Sequence, residues 1–123
     1  MNVGTSYTAT TTVNSTNTAA ALGSGDMDVF ATPAMVALME NAAMNAVAPL
    51  LSEGQTTVGT QITTSHIKAS ALGATITATA VLTAVEGRSL TFTITARDGE
   101  NIIGEGSHTR FIVDRERFLS KLK

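Results

Sequence analysis

The chain has 123 residues, 43% of them hydrophobic but only 4% aromatic, and no cysteine. That length suits a single domain over residues 1–123, with a core of small aliphatic side chains, Thr methyls and Met. A net charge of −2 offers no basic field to nucleic acid, and the lack of cysteine excludes disulfides, thiolate nucleophiles and Cys-ligated metals.

The opening run MNVGTSYTATTTVNSTN has neither the basic nor the apolar region of a secretory leader. Ser6 to Val13 is rich in Thr and Ala and predicts a first strand. Asn14 to Val29 holds Gly23, Ser24, Gly25 and Asp26 and predicts a loop, with the character of a lid. Thr32 and Pro33 mark a helix start, with the Thr32 hydroxyl as a candidate cap. Pro49 and Gly54 mark the helix exit. The helix carries Glu40, Asn41 and Asn45, which interrupt it too often for a membrane span. A cytoplasmic protein with no membrane or nucleic-acid partner is expected.

After the helix the pattern turns to strands. Thr56 to Ala69 is β-branched, and Gly73 to Glu86 alternates Ala74, Ile76, Ala78 and Ala80 against Thr75, Thr77 and Thr79. Gly87 predicts a turn. Ser89 to Ala96 sets Leu90, Phe92 and Ile94 against Thr91, Thr93 and Thr95. Asp98-Gly99 signals a hairpin into a last strand, Asn101 to Val113. Asp114 is placed to cap a short terminal helix bearing Phe118, Leu119 and Leu122. One strand, one long helix and four more strands make an α+β pattern. The helix is apolar on more sides than one sheet covers, so a homodimer is expected.

Glu40 is the one carboxylate in TPAMVALMENAAMNAVAPLL, residues 32–51. A carboxylate buried among apolar side chains must be paired, hydrogen-bonded or protonated. Such groups are often catalytic. A structural partner of Arg110 or Lys68, or a carboxylate that reaches solvent at a dimer groove, is the competing reading, and residue types alone balance function against structure.

The segments FATPAMVALMENAAMNAVAPLL (30–51), VGTQITTSHIKAS (58–70), AVEGRSLTFTITARDG (84–99) and IGEGSHTRFIV (103–113) carry a resemblance. In order and spacing they resemble the hotdog-fold acyl-CoA thioesterases of the fluoroacetyl-CoA thioesterase-like family. The resemblance implies an antiparallel sheet wrapped around a central helix. It also implies hydrolysis of a small acyl thioester to acid and CoA, with CoA entering only as part of the substrate. Its catalytic Thr, Glu and His fall on Thr32, Glu40 and His66, its oxyanion donor on Gly59 and its last-strand arginine on Arg110. The fluoroacetyl-specific member carries aromatic lid residues before the helix. Here that segment reads Gly23, Ser24, Gly25, Asp26, with Phe30 the single aromatic, which turns the expectation from fluoroacetate toward other acyl groups.

Thioester hydrolysis needs water or a carboxylate to attack the carbonyl, so Glu40 serves as base or nucleophile. His66 titrates where proton transfer at neutral pH needs it. His108 lies on a strand too and is read as structural. Thr32 precedes Glu40 by eight residues, roughly 12 Å of helical rise, so the two line one long pocket or meet across a dimer interface. Gly59 in a strand predicts a bulge, which frees a backbone N–H for an oxyanion. Lys68, Arg88, Arg115 and Arg117 read as solvated cations, with CoA phosphates as the alternative. No HExxH motif is present and no metal is expected. The rival functions are an acyl-thioester hydratase or dehydratase and a non-catalytic acyl-binding protein.

Overall fold

The computed structural model describes residues 1–123. Its elements follow one another as β1 (Ser6–Thr12), α1 (Ala19–Leu22), α2 (Thr32–Val47), β2 (Gln55–Thr64), β3 (Thr75–Glu86), β4 (Ser89–Asp98), β5 (Asn101–Asp114) and α3 (Arg115–Ser120). The strands form one five-stranded sheet in the order β1-β3-β4-β5-β2, all neighbours antiparallel. The sheet curls around α2, giving the α+β arrangement expected from the sequence. No helix is long and apolar enough to cross a membrane.

The core follows from two periodicities. Met35, Met39, Ala42, Ala43, Ala46 and Val47 recur at helical spacing and are buried. They meet the period-two sets Ile76, Ala78, Ala80 and Leu82 on β3 and Leu90, Phe92, Ile94 and Ala96 on β4. Alanines on both surfaces bring helix and sheet close, and the methionines fill the gaps. Truncating Met35 or Met39 to Ala is expected to cost about 2–5 kcal/mol, because the cavity cannot fully collapse. Gly104 on β5 leaves room for this packing: a Cβ there would stand 2.9 Å from the Met35 sulfur.

Four local expectations are revised. The 14–29 segment is not all loop: Thr18 caps the one-turn helix α1, its hydroxyl accepting from the Ala21 N–H at 3.1 Å. The cap position of α2 is Ala31 with no side-chain cap bond, so Thr32 is not the cap. Strand β2 ends at Thr64, before His66, although Ser65 and Ile67 still donate backbone bonds to Glu105 and Ile103. Asp114 precedes α3 without a side-chain cap bond.

One line of α2 does not reach the sheet. Pro33, Ala37, Asn41 and Met44 are exposed along it, and Glu40 borders it. In the single chain, therefore, the helix is not buried all round.

Candidate active site

The expected site residues gather into two groups. The first lies where the start of α2 meets the segment after β2. Thr32 Oγ1 and His66 Nδ1 are 2.7 Å apart. With the capping role left to Ala31, the Thr32 hydroxyl is free to reach across 34 positions of sequence. When the hydroxyl donates, the ring proton sits on Nε2, which is buried and has no hydrogen-bond partner. Burial lowers the His66 pKa below the ordinary imidazole value, against a smaller opposing effect of the Lys68 backbone. Neutral imidazole is therefore the resting form at pH 7. A cleft of about 250 Å³ opens beside the pair, lined by Ala19, Ser24, Val29, Phe30, Ile67 and Lys68 among others.

The second group centres on Glu40, two turns further along α2. Its Oε2 lies 3.8 Å from Nη1 of Arg110. The Glu40 side chain is 42% exposed in the single chain, which corrects the expectation of a buried carboxylate. Arg110, by contrast, is buried. Its Nε donates to Thr57 Oγ1 at 2.8 Å and its Nη2 to the Thr57 carbonyl at 2.9 Å. Burial lowers the Arg110 pKa and the Glu40 charge opposes the shift, but a guanidinium stays charged at neutral pH.

Gly59 pairs with Arg110 across the ladder, and the register breaks between Gly59 and Gln61, the bulge expected at this glycine. A Cβ on Gly59 would stand 2.8 Å from Glu40 Oε2 and 3.2 Å from Cε1 of His108. The side-chain-free backbone is thus the floor against which the carboxylate rests.

His108 joins this group, although its sequence context suggested a structural role. The signal was its position two residues before Arg110, on the same strand face. Its Nδ1 lies 2.7 Å from the Gln61 carbonyl, which can only accept, so Nδ1 carries the proton. Nε2 then accepts from Arg110 Nη1 at 3.3 Å. Burial first, and the Arg110 charge in addition, lower its pKa, against the Gln61 carbonyl and Glu40. A neutral His108 bonded to a cation is the consistent state.

No hydrogen bond or ion pair within the chain joins the Thr32–His66 pair to the Glu40 group. No three His, Asp or Glu residues lie close enough to hold a metal ion.

Comparison with known proteins shows the family and the fold. The family model of the fluoroacetyl-CoA-specific thioesterase matches residues 13–116. The fluoroacetyl-CoA thioesterase of Streptantibioticus cattleyicolor is 44% identical over 96 residues, covering 78% of this chain and 69% of that protein. A crystal structure of the fluoroacetyl-CoA-specific thioesterase superposes with a TM-score of 0.92 at 38% identity, covering 99% of this chain and 95% of that one. A variant of that enzyme, in complex with fluoroacetate and CoA, superposes with a TM-score of 0.90 at 39% identity, covering 96% and 99%. A Thermus thermophilus thioesterase superfamily member shares the fold, with a TM-score of 0.90 at 23% identity over 98% and 90% of the chains.

Proposed function

Since the chain belongs to the fluoroacetyl-CoA-specific thioesterase family, a family of thioester hydrolases, we propose that it hydrolyses a small acyl-CoA to the free acid and CoA. The observation that carries this reading is Glu40 seated against the bare backbone of Gly59, beside the buried cation of Arg110. A thioester carbonyl docked at the bulge meets a carboxylate and a positive field together. Glu40 removes a proton from water, or attacks the carbonyl itself to form an anhydride that water opens. In both routes the carbon–sulfur bond breaks and the sulfur leaves as a thiol. The proton that reaches sulfur comes from the attacking water by way of Glu40, or from solvent in the anhydride route, while the Nε2–H of neutral His66, held in that tautomer by Thr32, hydrogen-bonds the charge developing on the thioester.

The two groups are proposed to meet across a homodimer. Strand β2 is a sheet edge, with one side of its backbone unpaired. Two such edges paired about a two-fold axis run antiparallel. The Thr32–His66 end of one subunit then lies toward the Glu40–Gly59 end of the other. The same pairing brings the exposed line of α2 toward the partner.

Release of free thiol from acetyl-, propionyl-, isobutyryl- and benzoyl-CoA tests the activity. Thiol release that is abolished in Glu40→Gln supports the reading. Hydration of an enoyl-CoA without thiol release would replace it with the hydratase alternative.

A further inference from the structure

Gly104 and Gly106 lie on β5 in line with His108 and Arg110, since alternate residues of a strand share a face. That face is the inner one: a Cβ on Gly104 would stand 3.0 Å from Cε of Met35, in the core. Neither glycine has a positive φ, so neither serves an unusual backbone angle. Both serve space instead. A Cβ on Gly104 would collide with the Ser65 carbonyl, and one on Gly106 with the Thr63 carbonyl. Thr64 is the register partner of Gly106, and its Cβ and Cα would be 2.8 Å and 2.9 Å from that added carbon. Register partners ordinarily hold their Cβ atoms about 4.5–5.5 Å apart. The end of β2 is therefore not beside β5 in the plane of the sheet. It leans over the inner face, in space that any side chain would fill.

The leaning segment stays tied to β5. The Ser65 and Ile67 N–H groups donate to the Glu105 and Ile103 carbonyls at 3.0 and 2.7 Å. The Glu105 N–H donates in return to Ser65 Oγ at 3.3 Å, a side chain standing where a strand carbonyl would be. Between these ties sits His66, whose Nδ1 meets Thr32 Oγ1 at 2.7 Å. Helix α2 packs chiefly on β1 and β3, toward the other edge of the sheet from β2. An imidazole on a strand lying in the plane of the sheet would be set away from that helix, and the inward lean closes the gap.

We propose that Gly104 and Gly106 are positioning residues for His66: their bare backbone lets the end of β2 lean across β5 and deliver the imidazole to Thr32. The catalytic consequence rests on the thioesterase reading, in which the Nε2–H of His66 must point at the thioester. The atoms nearest the added carbon at Gly106 are the Thr63 carbonyl and Cα and Cβ of Thr64. None of these can rotate away as the end of a long side chain can, so Gly106→Ala must push the segment outward.

Nitrogen NMR of the two histidine rings reads this geometry. Thr32 fixes His66 as the Nε2–H tautomer and Gln61 fixes His108 as Nδ1–H, so each ring is a reference for the other. In Gly106→Ala, His66 should relax to a mixture of tautomers while His108 keeps Nδ1–H. For the acyl-CoA that the parent cleaves best, kcat should fall about a hundredfold, with KM within about twofold of the parent's. Added to His66→Ala, the same substitution should cost little more, because both remove one contact. An unmoved His66 tautomer in Gly106→Ala, or losses that multiply in the double variant, would overturn the proposal. Should Gly106→Ala fail to fold, Ser65→Ala, at an exposed position, loosens the same segment. It should shift the His66 tautomer in the same direction by less, and an unchanged His66 spectrum there would overturn the proposal. If the parent releases no thiol from any acyl-CoA, the hydrolase reading fails by itself, and the tautomer shift still decides the positioning role.

Discussion

Gly59 and Glu40 are fitted to one another: the carboxylate oxygen Oε2 stands 2.8 Å from where a Cβ on Gly59 would lie. Gly59→Ala must therefore move the carboxylate. Glu40 is long and half exposed and swings aside, while the buried His108 ring, 3.2 Å from the same point, has only to give by a few tenths of an ångström. The variant should melt within a few degrees of the parent and lose about a hundredfold in kcat/KM, the scale for one misplaced catalytic contact. A fully active Gly59→Ala would remove the carboxylate–bulge unit from the mechanism.

Glu40 and Arg110 separate activity from stability. Their contact is 3.8 Å, the carboxylate is 42% exposed, and Thr57 already binds the guanidinium twice. Glu40→Gln should therefore melt close to the parent while losing thiol release. Arg110→Gln strands both acceptors of Thr57 and the His108 ring, and should melt several degrees lower. Paired melting curves decide this. A large loss in Glu40→Gln, with activity kept, would make the pair structural.

Subunit sharing has a direct assay. Thr32→Ala and Glu40→Gln should each be inactive alone. If one site draws Thr32 from one subunit and Glu40 from the other, mixed dimers carry one intact site. Equal mixing after reversible dissociation should then restore about a quarter of parental activity. No recovery, in dimers shown to have exchanged, would confine the site to one chain.

Two histidines, His108 buried and His66 partly so, set the pH dependence. The pKa values of His66 and His108 both lie below the ordinary 6.5, mainly through burial. As pH falls below that value the unfolded chain takes up protons that the folded chain refuses. Stability contributed by the neutral rings is complete above pH 6.5, declines below it, and levels off under the folded pKa values. The melting temperature should fall between pH 7.5 and about 5.5, and His108→Gln should flatten that slope.

Catalysis should follow His66 alone. An acid limb in kcat/KM is expected with an apparent pKa below 6.5, as the ring protonates. His66→Ala should lose roughly a hundredfold while staying folded. His108→Ala should lose stability first, since it removes a buried ring and leaves the Gln61 carbonyl without its partner. A pH profile unchanged by His66→Ala would sink the requirement for its neutral ring.

The strands, the central helix and the sheet's inner face were legible in the sequence because hydrophobic periodicity is a local property. Leu90, Phe92 and Ile94 alternate whatever lies beyond them, and all are buried. The bulge at Gly59 was legible too, from a glycine in a β-branched run. Tertiary structure decided what no local pattern encodes. The Thr32 hydroxyl serves His66 rather than its own helix. Glu40 sits at the margin of the covered face, because the curled sheet takes only part of α2. His108 belongs with Arg110 because two residues along a strand share a face, and the partner strand brings Thr57, Gly59 and Gln61 beneath them. Composition reports how much apolar surface a chain must hide; only the packed sheet determines which polar groups are left facing one another.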